Sequence, residues 1–308
     1  MKALATFVVG ERYEKAYNRF RESHERYCAR HGWDHLVLTE PIDKESDRKS
    51  IIAQKVLVGT LDKYDTVVWI DSDIWITDTC PEIETRDPKK IGVCDQRPYH
   101  NQALYDDVKR IRSWTDEYYP KYSLPEGLPD FNAGVMIFHP KEHADYLRTV
   151  YDGLVKFIQS VPECDPETGV YLHYDQPYLG YHFYESDVYE ILDWRHNAVW
   201  PVYRCILAEP YGSEHELVRP MKRLMDVAWS VHFTDHEDVS VLDIVKHIMR
   251  FKGTDAKISS VAEFVDPVFR LHDFKTIQVP KTVYPYMRFS QTGFVIPKNI
   301  VAIDDSDA

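Results

Sequence analysis

Asp71 and Asp73, in Asp71-Ser72-Asp73, are two carboxylates one residue apart inside an otherwise apolar run. Val67-Val68-Trp69-Ile70 precedes them and Ile74-Trp75-Ile76 follows. Side chains of this type and spacing can grip one hard divalent cation, Mg²⁺ or Mn²⁺, together with a diphosphate on it, because both ions favour oxygen ligands. Without such a counter-charge, two acids among apolar neighbours are costly. The tripeptide alone is weak evidence, since Asp is common in turns. Asp305-Ser306-Asp307 repeats it in a polar stretch with no strand before it. Context separates the two copies.

Lys55 is a second residue out of keeping with its surroundings. At helical spacing its neighbours are Ile51, Ile52, Val58 and Gly59, all uncharged. A lysine emerging from an apolar face is better explained by a partner anion than by solvation, the plainer alternative being a side chain that snorkels at the helix edge.

The elements that must hold these residues follow from hydrophobic periodicity. Leu4–Val9 is a short β-branched run. Tyr13, Ala16, Tyr17, Phe20, His24 and Tyr27 then recur at helical spacing, which predicts one helix ended by Gly32. Trp33–Leu38 reads as a second strand, and Ser50 as the cap of a helix from Ile51 to Leu61. Thr66–Ile70 is apolar on both faces, as a buried parallel strand requires. This β-α-β-α-β order implies an α/β fold with an open, doubly wound sheet. Asp71 then falls just outside the carboxyl end of a strand, where such sheets bind ligands. Further strands are expected at Ile91–Cys94, Val135–Phe138, Val188–Leu192 and Ala228–Phe233. Further helices are expected at Ala103–Tyr118, Lys141–Gln159, Gln176–Tyr184 and Val239–Phe251, with Tyr119–Pro129 a proline-rich surface loop.

Four blocks carry a family resemblance. Ile52-Ala53-Gln54-Lys55-Val56-Leu57 through Tyr64–Asp73 resembles the helix–strand–DxD block of GT-A glycosyltransferases. The likeness falls nearest the glycogenin/galactosyltransferase-like and the yeast mannosyl/galactosyltransferase-like families. Phe131-Asn132-Ala133-Gly134-Val135-Met136-Ile137-Phe138 is similar to their NAGV strand, Tyr174-Asp175-Gln176-Pro177-Tyr178-Leu179 to their DQ segment, and Val231-His232-Phe233-Thr234 to their late HF strand. The joint order, over roughly residues 1 to 235, is more specific than any single piece.

The resemblance implies a GT-A fold, Rossmann-like with a mostly parallel central sheet and flanking helices. It implies transfer of a hexose from a UDP- or GDP-sugar to a hydroxyl of a glycan or glycoconjugate, with retention of anomeric configuration. It also implies a Mn²⁺ or Mg²⁺ cofactor on Asp71, Asp73 and His232, with Ser72 against the donor and Lys55 facing it. Asn132, Ala133 and Gly134 would line the donor-sugar pocket, where Gly134 permits close backbone approach and Asn132 offers both donor and acceptor. Asp175 and Gln176 would lie at the reacting centre. Asp175 also suits a helix N-cap, with Pro177 early in the helix. Base recognition would fall on Thr6, Phe7 and Val8 through Gly10, with Tyr13 as a stacking surface. The chain departs from the pattern after His232, where Asp235-His236-Glu237-Asp238 replaces the usual Gly and Lys. The diphosphate contact of that Lys then falls to His236 or a more distant base.

Bulk properties narrow the alternatives. The 308 residues carry a formal net charge of −13 with no Lys/Arg-rich cluster, which argues against nucleic acid and anionic lipid as partners. The five cysteines are scattered with no CxxC pair, as suits a reducing compartment. No apolar run reaches the length of a membrane span, and the first strand starts too early for a signal peptide, so a cytoplasmic protein is expected. Residues 1–250 are expected to form the catalytic domain and 251–308 an extension packed on it, ending in a disordered tail from Asp304. Two rivals stand beside the transferase. A sugar nucleotidyltransferase would want a Gly-rich loop after the first strand, where only Gly10 occurs. A catalytically idle sugar-binding protein on the same fold would account for the missing Gly and Lys. An inverting enzyme would recruit Asp175 or Asp130 as base.

Overall fold

The computed structural model describes residues 1–45, 49–95, 120–122, 124, 131–162, 175–201, 203, 214–234, 239–252, 277–280 and 300–303. The elements, in chain order, are β1 (Lys2–Phe7), α1 (Glu11–Tyr17), α2 (Arg21–His31), β2 (Asp34–Leu38), a 3-10 helix (Lys49–Thr60), β3 (Thr66–Ile70), β4 (Ile74–Ile76), β5 (Ile91–Asp95) and β6 (Phe131–Phe138). There follow α3 (Pro140–Ser160), α4 (Asp175–Glu185), β7 (Tyr189–Leu192), a one-turn 3-10 helix (Trp194–Asn197), β8 (Ala198–Val199), α5 (Glu214–Val227), β9 (Ser230–His232), α6 (Val239–Lys252), β10 (Ile277–Pro280) and β11 (Ile300–Ile303).

The fold is mixed α/β, with a central six-stranded sheet in the order β2-β1-β3-β6-β5-β7 flanked by helices. β1 pairs in parallel with both β2 and β3, so the chain reverses its direction of winding at β1. β6 runs antiparallel to both neighbours, β3 and β5, while β5 and β7 are parallel. The sheet is therefore mostly parallel with one reversed strand. That reversal places the first residues of β6 at the carboxyl ends of β3 and β5. A bulge shifts the β5–β6 register between Val93 and Cys94, so that Cys94 faces Asn132 and Val93 faces Met136.

β3 is buried on both faces, and its side chains divide between two cores. Val67 and Trp69 pack with Ala53, Val56, Phe138, Leu147 and Leu154 under the long 3-10 helix and α3. Val68 and Ile70 pack with Leu4, Tyr27, Trp33 and Ile137 under α2. A third core, around Trp75, Trp200, Leu217, Met221, Phe233 and Val245, joins a three-stranded sheet, β4-β9-β8, to α5 and α6. β10 and β11 pair with each other in parallel.

Several expectations change. The single helix through Tyr13–Tyr27 is two, because the backbone tightens where Arg19 and Phe20 donate to Ala16 and Tyr17. That turn lets Tyr17 and Phe20, both fully buried, face the third core together. Gly32 does end α2, at a left-handed φ of 68°. The helix expected from Ile51 winds as a 3-10 helix, a form usually confined to short pieces. Its β-branched Ile51, Ile52, Val56 and Val58 resist α geometry, and Gly59 lies hard against Leu147 and Phe138. Asp175 is the first described residue of α4. The helix expected at Ala103–Tyr118, the loop Tyr119–Pro129 apart from residues 120–122 and 124, Asp130, the segment Asp235–Asp238 and the tail from Asp304 lie outside the described residues. So does most of the extension beyond 252.

Candidate active site

The site is built where β1, β3 and β6 end or begin. Asp71 follows β3 directly, and its backbone N–H donates to the Gly134 carbonyl of β6 at 2.8 Å. The Asp73 carbonyl accepts from Phe233 N–H at 3.0 Å, and Ile74 pairs with His232 across β4 and β9. The turn carrying both acids is thereby tied to β6 on one side and to the strand carrying His232 on the other. Ile74 is held from behind as well. Its carbonyl accepts from Nε2 of the fully buried His24 at 2.8 Å, and His24 Nδ1 lies 3.1 Å from the Tyr17 hydroxyl.

One ligand atom from each of Asp71, Asp73 and His232 falls within 4.8 Å of the other two. His232 Nε2 lies 3.3 Å from Asp73 Oδ1 and 3.7 Å from Asp71 Oδ2. Two carboxylate oxygens and one imidazole nitrogen, converging from two backbone segments, fit a divalent cation such as Mn²⁺ or Mg²⁺. Burial lowers the His232 pKa, but the charges of Asp73 and Asp71 outweigh it and the net shift is upward. Burial raises the Asp71 pKa against the pull of Lys55 and His232.

Lys55 does meet anions, and they belong to the chain. Its Nζ lies 2.6 Å from Asp175 Oδ2 and 3.7 Å from Asp71 Oδ1, with the Trp69 ring 5.8 Å away. Burial opposes its charge, yet Asp175 and Asp71 together hold its pKa above the ordinary lysine value. Trp69 Nε1 also donates to Asp71 Oδ1 at 2.9 Å. The buried Asp175 therefore turns its carboxylate to Lys55 from the first turn of α4.

Asn132 Nδ2 donates to Gln176 Oε1 at 3.4 Å, joining β6 to α4. Its Oδ1 accepts from Gly134 N–H at 2.9 Å and from Asn197 Nδ2 at 2.7 Å. Asn197 Oδ1 in turn lies 3.1 Å from His232 Nδ1. A Cβ on Gly134 would stand 2.6 Å from the His232 ring, so the room left by this glycine is taken by a side chain of the protein itself. Ala133 is buried beside it. Thr6, one residue beyond the Ala5–Trp69 pair, is buried and its Oγ1 has no hydrogen-bond partner among the described residues. Phe7 packs against Trp69 at 5.5 Å between ring centroids. Val8 belongs to the third core, Gly10 turns at φ 96°, and Tyr13 is exposed on α1.

The structure thus brings Lys55, Asp71, Asp73, Asn132, Gly134, Asp175, Gln176 and His232 into one connected cluster. Ser72 lies in the same turn. Tyr13, exposed on α1, has no hydrogen bond to that cluster among the described residues. Asn197 and Trp69 are polar partners of the site that the sequence did not single out as such. Trp69 read as core, and Asn197 sits in a short polar segment with no distinguishing signal.

No protein-family model matches the sequence, and no curated protein matches it. Solved structures to which the chain is similar include a glycosyltransferase involved in the glycosylation of the major capsid of PBCV-1. That match is 13% identical over 80% of this chain and 98% of that one, with a TM-score of 0.49. Another is the galactosyltransferase LgtC in complex with donor and acceptor sugar analogues, 14% identical over 92% of this chain and 99% of that one, TM-score 0.46. A third is the bifunctional glycosyltransferase WbbM, 10% identical over 75% of this chain and 45% of that one, TM-score 0.46.

Proposed function

We propose that the chain is a metal-dependent GT-A glycosyltransferase that moves a hexose from a UDP- or GDP-sugar to an acceptor hydroxyl on a glycan or glycoconjugate, with retention of configuration. The observation that carries this reading is the convergence of Asp71, Asp73 and His232 within 4.8 Å at the end of β3. Bound there, Mn²⁺ or Mg²⁺ supplies a Lewis acid for the charge that develops on the departing diphosphate. The remaining work falls to the chain. Asn132 and Gln176 present amide donors and acceptors side by side, suited to sugar hydroxyls. Asp175, its carboxylate turned to Lys55, lies in the same cluster, and its role here is to act at the reacting centre from that position. The bond that breaks joins the anomeric carbon to a phosphate oxygen, the bond that forms joins that carbon to the acceptor oxygen, and the proton of the acceptor hydroxyl leaves with the departing diphosphate. The buried Thr6 hydroxyl beside the β1/β3 switch, without a partner among the described residues, supports a donor base or ribose there, because buried polar atoms are rarely left unsatisfied.

The test is a screen of UDP-, GDP- and dTDP-sugars with and without Mn²⁺. Metal-dependent donor hydrolysis or transfer is expected, falling by about 10²-fold or more in Asp73→Ala. Glycan binding without turnover and insensitive to chelation would instead make this an idle binding protein. Release of pyrophosphate from a nucleoside triphosphate and a sugar phosphate would make it a nucleotidyltransferase.

A further inference from the structure

His232 must present Nε2, and not Nδ1, to Asp71 and Asp73, and which nitrogen carries the proton in the neutral ring is set by what the other nitrogen meets. That choice can be traced outward from a backbone group whose role is fixed. Gly134 N–H can only donate, so the Asn132 atom 2.9 Å from it is the oxygen Oδ1. The Asn197 atom 2.7 Å from that oxygen must donate in turn, and is Nδ2. The other end of the Asn197 amide is then Oδ1, an acceptor, and it faces His232 Nδ1 at 3.1 Å. Nδ1 is therefore held as a donor by Asn197, while Asp73 and Asp71 draw a proton to Nε2 wherever no cation stands between them and the ring. Free histidine prefers the tautomer with its proton on Nε2.

Nothing else in this arrangement is loose. Asn197 is buried, at the end of the one-turn 3-10 helix whose first turn is capped by Asp193 accepting from Arg195 N–H. The next residues, Ala198 and Val199, pair with Val231 and His232. The ring is confined on its other side by Gly134, where a methyl group would not fit.

We infer that Asn197 is the positioning residue of this site: its amide fixes the tautomer and orientation of His232, and through Asn132 ties that ring to Gln176 on α4. The inference rests on the proposed metal-dependent reading for its purpose, but its geometry is independent of it. Side chains that hold a metal-ligating histidine by its other nitrogen typically change metal affinity by about 10- to 100-fold when removed.

The experiment uses the full chain labelled with ¹⁵N-histidine. In the metal-free protein, at a pH where the ring is neutral, the long-range ¹H–¹⁵N pattern of His232 should show a population protonated at Nδ1, held there by Asn197 against the carboxylates facing Nε2. Asn197→Ala should move that population toward Nε2–H and weaken Mn²⁺ binding, read by titration calorimetry without donor, by about 10- to 100-fold. Asn197→Asp keeps an acceptor opposite Nδ1–H while losing the donor to Asn132, so it should retain the wild-type tautomer and bind Mn²⁺. The inference is overturned if folded Asn197→Ala keeps both the tautomer and the Mn²⁺ affinity, or if Asn197→Asp loses the tautomer. Should Asn197→Ala fail to fold, Asn197→Ser, whose hydroxyl is too short to reach the ring, takes its place. A wild-type chain that takes up no Mn²⁺ would sink the metal reading, while the tautomer still decides the part played by Asn197.

Discussion

A methyl group placed on Gly134 would lie 2.6 Å from both Cε1 and Nδ1 of His232 and 2.8 Å from Asn132 Oδ1, closer than Cβ atoms come in proteins. Neither neighbour can give way freely, since the ring is held through Asn197 and the amide by Gly134 N–H itself. Gly134→Ala is therefore expected to cost about 1–3 kcal/mol of stability, read as a lower urea midpoint, and to weaken Mn²⁺ binding with it. An unchanged midpoint and affinity would mean that the ring is not confined. Lys55 poses the converse case. Its side chain is 12% exposed, and its ammonium lies against Asp175 and Asp71. Lys55→Met takes the cation from between two acids, and about 3 kcal/mol should be lost at neutral pH, the scale on which one partner's removal from a buried pair destabilises. Equilibrium unfolding checks it, and a variant as stable as the wild type would place the cation elsewhere. Lys55 could be read from the sequence because a charge on an apolar helix face is conspicuous. Asn197 could not. Its contact with His232 closes across 35 positions, and an asparagine between two short elements carries no local mark.

At the scale of elements, legibility followed length and burial. β3 and α3 were readable because five continuously buried residues and a twenty-one-residue amphipathic run leave strong periodic signals. Of the β4-β9-β8 sheet only β9 was, within the strand expected at Ala228–Phe233, since β4 and β8, of three and two residues, are too short to show alternation. The reversed direction of β6 was equally invisible, because a strand buried on both faces has the same pattern in either direction. α5 was not among the expected elements, and it holds Pro220 in its interior, a residue that ordinarily breaks a helix. The winding of the Lys49–Thr60 segment was set by packing against α3. A Cβ on Gly59 would come within 2.3 Å of Leu147 Cδ1 and 2.7 Å of Phe138 Cγ. Gly59→Ala should therefore force α3 away from the 3-10 helix and lower stability by about 1–3 kcal/mol. Because Lys55 lies one turn away on the same element, donor KM is expected to rise as well. Thermal melting with donor titration tests both, and full stability in the variant would show that the two helices can separate at no cost.

Across the whole molecule, the described histidines with resolved shifts divide by sign. Burial is the first cause of the lowered pKa at His24, His35, His139, His143, His182 and His196, whereas His232 alone among them is raised, by its two carboxylates. His24 is lowered to about 3 and His196 to about 4. They sit under different elements, His24 on α2 behind Ile74 and His196 against Trp229 and Cys80. For a group whose folded pKa is depressed, the unfolded chain takes up a proton that the fold refuses. Stability is then complete above the unfolded value near 6.5 and falls as the pH drops toward the folded one. Each of these two should remove up to roughly 1.4 kcal/mol per pH unit below 6.5, or about 3 kcal/mol per unit together. His24 keeps its neutral form by giving Nε2–H to the Ile74 carbonyl and accepting at Nδ1 from Tyr17, with His35 and Asp73 the other titratable groups acting on it. Urea unfolding at intervals from pH 7 to pH 5 should show this loss, and His24→Gln, which removes one of these titrations, should lower the slope by up to roughly 1.4 kcal/mol per pH unit. A slope that His24→Gln leaves untouched would mean that His24 is protonated inside the fold, and the turn carrying Asp71 and Asp73 would then be held by a charged group.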